Sequence, residues 1–330
     1  MKRKGIALSL ALFVGILGIV LARPLTAQPV KVSIAAGSLG GSWYATVEAM
    51  AECVRKTYPG SIVTVVPGDS AGNLKRVQRG LIELGIATSV ETIMAIKGEQ
   101  PFAEKHTDVR AIAVGWFLTS FQLTVLEKLP FSSLEELKKK KFPLRISVNT
   151  RGSGMELITK TGLEAAGITY KDIESWEGKI LFLAGNPALA LLDDGHLDGE
   201  TGAAGPPDPV KLRASTTHKL RLLPLTEEQI KRAIELLPGT FRYMMPKGVY
   251  NFLAQDTPTF SATSVLYAHQ NLPESAAYQI ARSIAENVDY LQKVNVNLRN
   301  LKREELAETS LGIPFHPGVI KYYKEKGLMK

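Results

Sequence analysis

The segment "VKVSIAAGSLGGSWY", residues 30–44, joins an apolar run to a glycine-rich loop and then to two large aromatic side chains. The run "VKVSIAA" is rich in β-branched and small residues, which predicts a strand. After the loop, Trp43, Val47 and Met50 fall on one face of a helix. The segment therefore predicts a strand, a turn and a helix, the unit from which α/β sheets are built.

The unit continues and then recurs farther along the chain. "SIVTVV" and "ELGIAT" predict the next two strands, and "LRISVN", "KILFL" and "HLDGET" repeat the series of three. The pairs that match at a single offset of 115 positions are Gly37 and Gly152, Ser38 and Ser153, Gly80 and Gly195, and Glu83 and Asp198. We therefore predict two α/β lobes built on one plan, each with a parallel, doubly wound sheet.

Two β-rich segments are predicted to connect the lobes. The apolar segment that starts at Val109 predicts a strand that leaves the first lobe, and Thr259–Gln270 predicts the strand that returns. The predicted boundaries are residues 28–120 plus about 256–330 for the first lobe and about 121–255 for the second. Ligands of open α/β sheets bind beyond the carboxyl ends of the strands, so we expect both glycine loops to face a cleft between the lobes.

Residues 1–27 have the layout of a secretory signal peptide. Basic residues precede an apolar stretch, residues 6–22, and the small residue Ala27 ends the segment. An uncleaved membrane anchor is the alternative, because the stretch is near the shortest length that spans a bilayer. We therefore expect a periplasmic protein, free or tethered at its N-terminus.

Charge, cysteine and histidine content narrow the class of protein. The chain has 40 Lys and Arg against 32 Asp and Glu, and four of the basic residues lie in the signal segment. The small remaining excess does not predict nucleic-acid binding. Cys53 is the single cysteine, which excludes an intrachain disulfide, and its apolar neighbours predict a buried thiol. The five histidines lack the paired spacing of a metal site, so we expect neither a metal nor a cofactor.

The glycine loop at residues 37–42 matches neither nucleotide-binding motif. Leu39 occupies a position where the dinucleotide fingerprint needs glycine, and Gly41 is followed by Ser42 rather than by the lysine of a P-loop. What remains is a loop that ends at a helix N-terminus, whose free N–H groups and dipole favour an anion. The second-lobe loop "TRGSG" repeats the arrangement, and Arg151 within it is a candidate to pair with a carboxylate.

A further motif, "GDSAG" at residues 68–72, predicts a different activity. It has the G-x-S-x-G spacing of a nucleophile elbow and lies between a predicted strand and a predicted helix. A secreted serine esterase with Ser70 as nucleophile would need an acid such as Asp198 and a histidine such as His218 or His269. The sequence lacks the His-Gly-Gly-Gly oxyanion loop, and Asp198 already has a place in the repeat, so we favour binding over catalysis.

Four stretches together resemble the TAXI family, the extracytoplasmic solute receptors of tripartite ATP-independent periplasmic (TRAP) transporters. They are "AAGSLGGSWYATVEAMAE", "VTVVPGDSAGNLKRVQRGLIELGIATS", "RISVNTRGSGMELITKTGLEAAGITYKDI" and "GIPFHPGVIKYYKEKGLM". The resemblance extends from about Val32 to Lys330. It implies a two-lobed fold similar to type II periplasmic binding proteins, an amino-acid ligand such as glutamate or another small carboxylate, and delivery to membrane permease subunits. A receptor that serves a sensor system is the remaining alternative.

The resemblance also implies a set of ligand-binding residues. Trp43 stands where a tyrosine is common in the family, Thr88 and Ser89 replace a Gln-containing segment, and Met155 replaces a threonine. We expect hydroxyl and helix N–H groups to hold the anion, and Trp43 and Tyr44 to pack on its carbon frame. The complete predicted set is Ser38, Gly40, Gly41, Ser42, Trp43, Tyr44, Ser70, Asn73, Thr88, Ser89, Arg151, Ser153, Gly154, Met155, Asn186 and Thr201.

Overall fold

The computed structural model of the protein describes residues 28–37, 39, 42–183, 185–202, 205–295 and 298–330. The predicted signal peptide lies outside the described residues, so its cleavage or retention as an anchor stays a prediction. Within the described residues, no helix has both the length and the apolar character needed to cross a bilayer.

Strands and helices alternate along the described chain, as the sequence predicts. The strands are β1 Lys31–Ala35, β2 Ile62–Val66, β3 Leu84–Thr88, β4 Val109–Ser120, β5 Thr124–Leu126, β6 Arg145–Ser147, β7 Lys179–Leu181, β8 Gly199–Glu200, β9 Leu220–Leu222, β10 Thr240–Met245 and β11 Thr257–His269. The helices are α1 Ser42–Thr57, α2 Ser70–Gln78, α3 Ser89–Lys97, α4 Leu134–Lys140, α5 Gly154–Ala165, α6 Tyr170–Ser175, α7 Asn186–Asp193, α8 Pro209–Thr217, α9 Glu227–Leu236, α10 Glu274–Glu286, α11 Val288–Val294 and α12 Pro317–Glu325. A 3-10 helix, Arg303–Ala307, precedes α12.

Local side-chain chemistry sets where these helices begin and end. Asp69, Thr88 and Ser153 precede α2, α3 and α5, and each accepts a hydrogen bond from a first-turn N–H group. Gly80 and Gly195 follow α2 and α7 with φ of 64° and 72°, a left-handed conformation that glycine adopts without strain. In both lobes, therefore, the helix that precedes the third strand of the repeat ends in the same way.

Two sheets form the framework of the two lobes. The first sheet has the order β10-β11-β3-β1-β2, with β4 paired to the other edge of β11, and the second has the order β7-β6-β8-β5-β9. β1 is parallel to β2 and β3, and β6 is parallel to β7 and β8. β11 and β5 run antiparallel to their neighbours, so each sheet is mixed rather than wholly parallel. The two-lobed α/β class is confirmed, with antiparallel strands added to each parallel core.

The sequence repeat corresponds to equivalent hydrogen bonds in the two lobes. Glu83 precedes β3, and its Oε2 accepts from the Ser33 N–H in β1 at 2.9 Å. Asp198 precedes β8, and its Oδ2 accepts from the Arg145 N–H in β6 at 3.0 Å. In each lobe an acid thus joins the first and third strands of the repeat.

The crossing strands are β4 and β11, which pair antiparallel. Beyond the end of β4, the Phe121 N–H donates to Phe260 O at 3.0 Å, and Thr259 Oγ1 donates to Phe121 O at 2.9 Å. β10 also joins the first sheet, although residues 240–245 fall in the range predicted for the second lobe. The exact boundary between the lobes stays a prediction.

Each lobe has its own hydrophobic core. The core of the first lobe contains Cys53, which is fully buried, and burial raises the pKa of its thiol to about 12. The predicted buried thiol is therefore confirmed. The core of the second lobe also contains Val90, Phe260 and Ala262, so α3 and β11 reach into it. The two lobes are therefore joined by apolar packing of α3 and β11 against the core of the second lobe.

Candidate functional site

The first turns of α3 and α5 bring the two lobes into contact. A Cβ atom added to Gly154, the first residue of α5, would lie 3.0 Å from Cγ2 of Thr88, the N-cap residue of α3. Both residues belong to the predicted set, one from each lobe. We call this contact, together with the neighbouring Ser70 and Glu91, the lobe junction.

A carboxyl group that the sequence analysis missed fills the lobe junction. Glu91 is 7% exposed, its Oε2 accepts from Thr88 Oγ1 at 2.9 Å, and the Ser70 hydroxyl lies close enough to favour its charged form. Burial raises the pKa of Glu91, the two hydroxyl contacts oppose that shift, and Asp69 adds a nearby negative charge. The spacing T-x-x-E from Thr88 to Glu91 is a capping-box signal that could have found it. The junction is therefore acidic and already occupied by protein groups.

A separate cavity of about 360 Å³ lies where β4, β10 and β11 meet the segment that follows β8. We call it the hinge cavity. Its walls are residues 115–118 of β4, Phe241 and Tyr243 of β10, Thr263 of β11, Gly205 and Pro206, and parts of the segment 300–311. Gly205 and Pro206 follow β8 of the second sheet, whereas β4, β10 and β11 belong to the first sheet. The cavity therefore has walls from both lobes.

The hinge cavity is aromatic, and its charged side chains are acids. The rings are those of Trp116, Phe117, Phe241 and Tyr243, and the acids are Glu305 and Glu308. No Lys, Arg or His occurs among the described residues that line it. Trp116 is 1% exposed, and its Nε1–H has no hydrogen-bond partner among the described residues. Burial, and then the negative charge of Glu305, raise the pKa of Tyr243.

Trp43 connects the opening glycine loop with the hinge cavity. Its ring centroid lies 6.3 Å from that of Trp116 and 6.1 Å from that of Phe117, and both of those rings line the cavity. Centroid separations in this range are typical of favourable aromatic contacts. The helix α1 therefore begins directly behind the aromatic wall.

The rest of the opening loop is only partly described. Ser38, Gly40 and Gly41 lie outside the described residues, so their contact with a ligand stays a prediction. Ser42 is exposed at the start of α1. Tyr44 is half-buried, and its hydroxyl donates to Val65 O in β2 at 3.1 Å. This polar contact is within the first lobe.

Asn73 and Ser89 are buried and bind backbone groups of the protein. Asn73 Nδ2 lies within hydrogen-bond distance of the carbonyl oxygens of Ala35 and Ala36, at the end of β1, and of Ile86, in the middle of β3. Its Oδ1 has no partner among the described residues. Ser89 Oγ donates to Gly239 O at 2.6 Å and accepts from the Thr263 N–H at 3.1 Å. Asn73 thus ties α2 to β1 and β3, and Ser89 ties α3 to the strands β10 and β11 beside the hinge cavity. Direct ligand contacts of either side chain stay predictions.

Besides Gly154, three predicted residues of the second lobe lie around the start of α5. Ser153 caps the helix by accepting from the Glu156 N–H at 3.2 Å, and Met155 is buried. Arg151 is exposed, and its guanidinium carbon lies 3.6 Å from the centroid of the Phe182 ring. Arg151 therefore stacks on its own lobe through a cation–π contact rather than reaching the hinge cavity.

Asn186 and Thr201 also have partners within the second lobe. Asn186 is exposed, and its Oδ1 accepts from the Arg213 guanidinium. Thr201 is 1% exposed, and its N–H donates to Ser147 O at 3.1 Å. Of the predicted set, the structure thus brings three residues together at the lobe junction and places one against the wall of the hinge cavity.

Comparison with known proteins identifies the family. Residues 34–327 match the NMT1-like family. The chain belongs to the NMT1-like family. Among solved structures, it is similar to MatC from Rhodopseudomonas palustris with bound malate, at 13% identity and a TM-score of 0.50 over 82% of this chain and 90% of that one. A protein of Bordetella bronchiseptica aligns at 17% identity and a TM-score of 0.50 over 90% and 98% of the two chains.

A third solved structure is a TRAP periplasmic solute-binding protein from Rhodobacter sphaeroides. It aligns with the NMT1-like chain at 17% identity and a TM-score of 0.44, over 91% of this chain and 90% of that one. At 17% and 13% identity, the similarity to the Bordetella protein and to MatC shows a shared fold. The fold shared with those two proteins agrees with the two lobes described above.

The NMT1-like chain does not assemble the triad that a serine esterase needs. Each candidate faces a group outside the proposed triad. Ser70 lies beside Glu91, and Asp198 binds the Arg145 guanidinium. His218 pairs with Asp193, and His269 lies 3.9 Å from Asp108. Asp198 is held by two guanidinium contacts at 2.7 and 2.9 Å, which occupy both of its oxygens. The geometry therefore provides no base for the Ser70 hydroxyl from the predicted candidates.

A buried ion pair in the second lobe is a further feature that the sequence analysis missed. Lys211 on α8 is fully buried, and its Nζ binds the Glu200 carboxylate and donates to Glu200 O at 3.2 Å. Burial raises the pKa of Glu200, although the charge of Lys211 acts in the opposite direction. Glu200 ends β8, five positions before Gly205 in the cavity wall. The pair thus anchors the strand that leads to the hinge cavity.

Proposed function

We propose that the protein is a solute-binding receptor of a TRAP-type transporter, which captures a small organic carboxylate and presents it to membrane permease subunits. The hinge cavity carries this proposal, because a ligand inside it contacts both lobes at once. Membership of the NMT1-like family and the two-lobed fold support a receptor. MatC, which shares the fold, has malate bound, and malate is a carboxylate.

The start of α1, where an anion is expected from the sequence, lies behind the aromatic wall, and no described residue of α1 lines the hinge cavity. This helix has 16 residues, and Trp43 in its first turn packs on Trp116 and Phe117 of the cavity wall. The N-terminal end of a helix carries a partial positive charge and free N–H groups, which stabilise a carboxylate nearby. The Trp116 Nε1–H is buried and has no hydrogen-bond partner among the described residues.

Binding in the cavity is expected to favour the closed arrangement of the lobes. Gly205 of the second lobe packs so closely on β4 that an added Cβ atom would overlap the Leu118 carbonyl oxygen. A ligand held between this segment and the aromatic wall stabilises closure by the difference in its affinity for the closed and open states. Hinge closure of this kind is the established way in which periplasmic binding proteins respond to ligands.

The TRAP assignment and export rest on sequence. The four TAXI-like stretches support a TRAP partner, and the N-terminal segment supports secretion to the periplasm. A receptor for a sensor system has the same ligand site but a different membrane partner. A permease gene next to this one favours transport, whereas a sensor kinase gene in that position favours signalling.

A thermal-shift screen tests the receptor directly. The purified protein is unfolded and refolded to remove bound solute, and then heated with amino acids and small carboxylates one at a time. A ligand at 100 times its Kd adds roughly 2.7 kcal/mol to the free energy of unfolding, which raises the melting temperature measurably. The proposal is contradicted if the refolded protein is native by circular dichroism and no compound in the panel shifts its melting temperature.

Replacing Ser70 separates the receptor from the esterase. Ser70→Ala removes a hydroxyl that lies beside the buried Glu91 carboxyl and favours its charged form, so we expect the free energy of unfolding to fall by at most about 1 kcal/mol in denaturant melts. We expect neither the wild type nor the variant to hydrolyse short acyl esters. Ser175→Ala, at an exposed position, is the matched control for loss of a serine. Ester hydrolysis that is abolished by Ser70→Ala alone would overturn the receptor interpretation.

A further inference from the structure

The rings and acids of the hinge cavity indicate which group of a solute it receives. We propose that the cavity takes an organic ammonium group, such as a trimethylammonium, which packs on its aromatic rings and faces its two acids. This inference rests on the proposed receptor function, and it names the part of the solute that lies between the lobes. The acids disfavour a carboxylate in that position, so any carboxylate of the same solute lies outside the cavity.

Two aromatic rings of β10 are accessible at the cavity. Phe241 and Tyr243 are half-buried, and because alternate residues of a strand share a face, both rings project on one side of the sheet. Trp116 and Phe117 also line the cavity, but at 1% and 4% exposure their rings are packed into the core of the first lobe. The face of an aromatic ring is negative and attracts an ammonium group within about 6 Å of its centroid. A cation beside the β10 rings therefore gains contacts that a neutral group of the same shape does not.

The acids of the cavity keep their negative charge available to a solute. Glu305 Oε2 accepts from the Lys302 N–H at 3.1 Å, and Glu308 Oε1 accepts from the Ser310 N–H at 2.6 Å. Neither acid forms an ion pair with another described residue. Burial, and then the charge of Glu305, raise the pKa of Tyr243, so this acid lies near an accessible ring. A cation at the ring is therefore also attracted by Glu305.

The basic residues nearest to the rings and acids in the sequence have partners elsewhere. Arg242, between the two rings in β10, projects from the other face of the strand and binds Glu227 through contacts at 2.7 and 2.9 Å. Arg303 Nε donates to Ala285 O in α10 at 2.7 Å. These two arginines and Lys302 are absent from the described lining of the cavity. A cation of the solute therefore meets the two acids without competition from these side chains.

An organic cation suits the cavity better than a metal ion does. Calcium takes about six to eight oxygen ligands, whereas two acids beside aromatic walls offer few. The described part of the chain contains no group of three or more His, Cys, Asp or Glu side chains that could hold a metal ion. The cavity volume of about 360 Å³ is in the lower part of the range for small-molecule sites, roughly 300–1,000 Å³. Aromatic rings are also the surfaces on which proteins bind quaternary ammonium groups.

The test uses two ligands of the same shape that differ in charge. Choline carries a trimethylammonium group, and 3,3-dimethylbutan-1-ol has a neutral tert-butyl group in its place. Each is titrated calorimetrically into the refolded protein. We expect choline to bind at least about tenfold more tightly, because only the cation is attracted by the ring faces and the acids. Equal binding, tighter binding of the neutral alcohol, or no binding of either overturns the inference.

The thermal-shift panel of amino acids and carboxylates separates this inference from the proposed function. If choline is not preferred but a panel compound raises the melting temperature, the inference fails and the receptor function stands. If choline is preferred and the panel is empty, the inference is supported and the carboxylate solute is contradicted. If neither choline, the alcohol nor any panel compound binds, both proposals fail.

Replacing Phe241 tests the part played by the rings. Phe241→Leu retains an apolar side chain but removes a ring face, so choline should bind at least about fivefold more weakly and the neutral alcohol about as before. Phe252→Leu is the matched control, because Phe252 is half-buried but stacks on Tyr250 instead. Equal losses of choline affinity in the two variants, with both folded by circular dichroism, would contradict the inference.

Replacing Glu305 tests the part played by the charge. Glu305→Gln removes a negative charge and retains an acceptor for the Lys302 N–H, so choline should bind at least about threefold more weakly at low ionic strength. Glu304→Gln is the matched control, because Glu304 is exposed and is absent from the described lining of the cavity. Choline affinity that is unchanged in Glu305→Gln, or that falls equally in both variants, counts against the inference.

Discussion

Replacing Lys211 with methionine should lower the free energy of unfolding by about 3–5 kcal/mol at neutral pH. The change removes the cation from a fully buried ion pair and leaves the Glu200 carboxylate without it, while methionine retains most of the apolar volume of the side chain. Denaturant unfolding followed by circular dichroism measures the loss. A loss below about 1 kcal/mol would show that the pair does not hold the second lobe together as described.

The same variant should show a defined pH dependence. Burial raises the pKa of Glu200 in the folded protein above its ordinary value of 4.5, and removal of Lys211 removes an effect that opposes the rise. A carboxyl group whose folded pKa is raised costs stability as pH increases from the unfolded pKa through the folded pKa. The deficit of Lys211→Met should therefore be smallest near pH 4.5 and grow above it. The double variant with Glu200→Gln should recover much of the stability and lose this pH dependence.

Gly205→Ala should weaken ligand binding at least about tenfold while costing roughly 1–3 kcal/mol of stability. The added methyl group would overlap the backbone carbonyl of Leu118, and neither backbone segment can relieve the contact by rotating a side chain. The segment after β8 must therefore move away from β4, which opens the hinge cavity and disfavours the closed lobes. Calorimetric titration with the best ligand from the thermal-shift screen measures the loss.

A control for Gly205→Ala must carry a similar substitution without the clash. Gly248 lies in a loop with φ of 77°, and an added Cβ atom there would have no neighbour within 4 Å. Gly248→Ala should cost about 1 kcal/mol through backbone conformation and leave ligand affinity unchanged. Full affinity in Gly205→Ala, or an equal loss in both variants, would contradict the role of the segment 205–206 as a wall of the site.

The fold was predictable because its signals are local or periodic. Strand patterns and glycine turns recur at one offset, and the equivalence of Glu83 and Asp198 in the sequence corresponds to equivalent hydrogen bonds between strands. The crossing strands were also predictable, because they are long and β-rich. The antiparallel placement of β5 and β10 was not, since it depends on how distant segments pair, which single-strand patterns do not encode.

The candidate site was predictable only in part. Glycine loops and helix starts were visible in the sequence, and Trp43 does lie against the cavity wall. The wall itself combines side chains from β4 and β10 with the C-terminal segment, which come together only in the folded protein. Trp116 and Phe117 have the pattern of ordinary buried strand residues, so nothing in the sequence distinguishes a cavity wall from a core. Glu91 could have been predicted, because the sequence shows the capping-box spacing from Thr88 to Glu91.

The central claim is that one solute contacts both lobes and holds them closed. Small-angle X-ray scattering of the refolded protein, with and without a saturating concentration of the ligand found by thermal shift, tests this most directly. The account predicts that the radius of gyration falls on ligand addition, and that Gly205→Ala needs a higher ligand concentration to reach the same value. The wild-type protein must be open without ligand and saturated with ligand by calorimetry. If its radius of gyration is then unchanged on ligand addition, the central claim is contradicted.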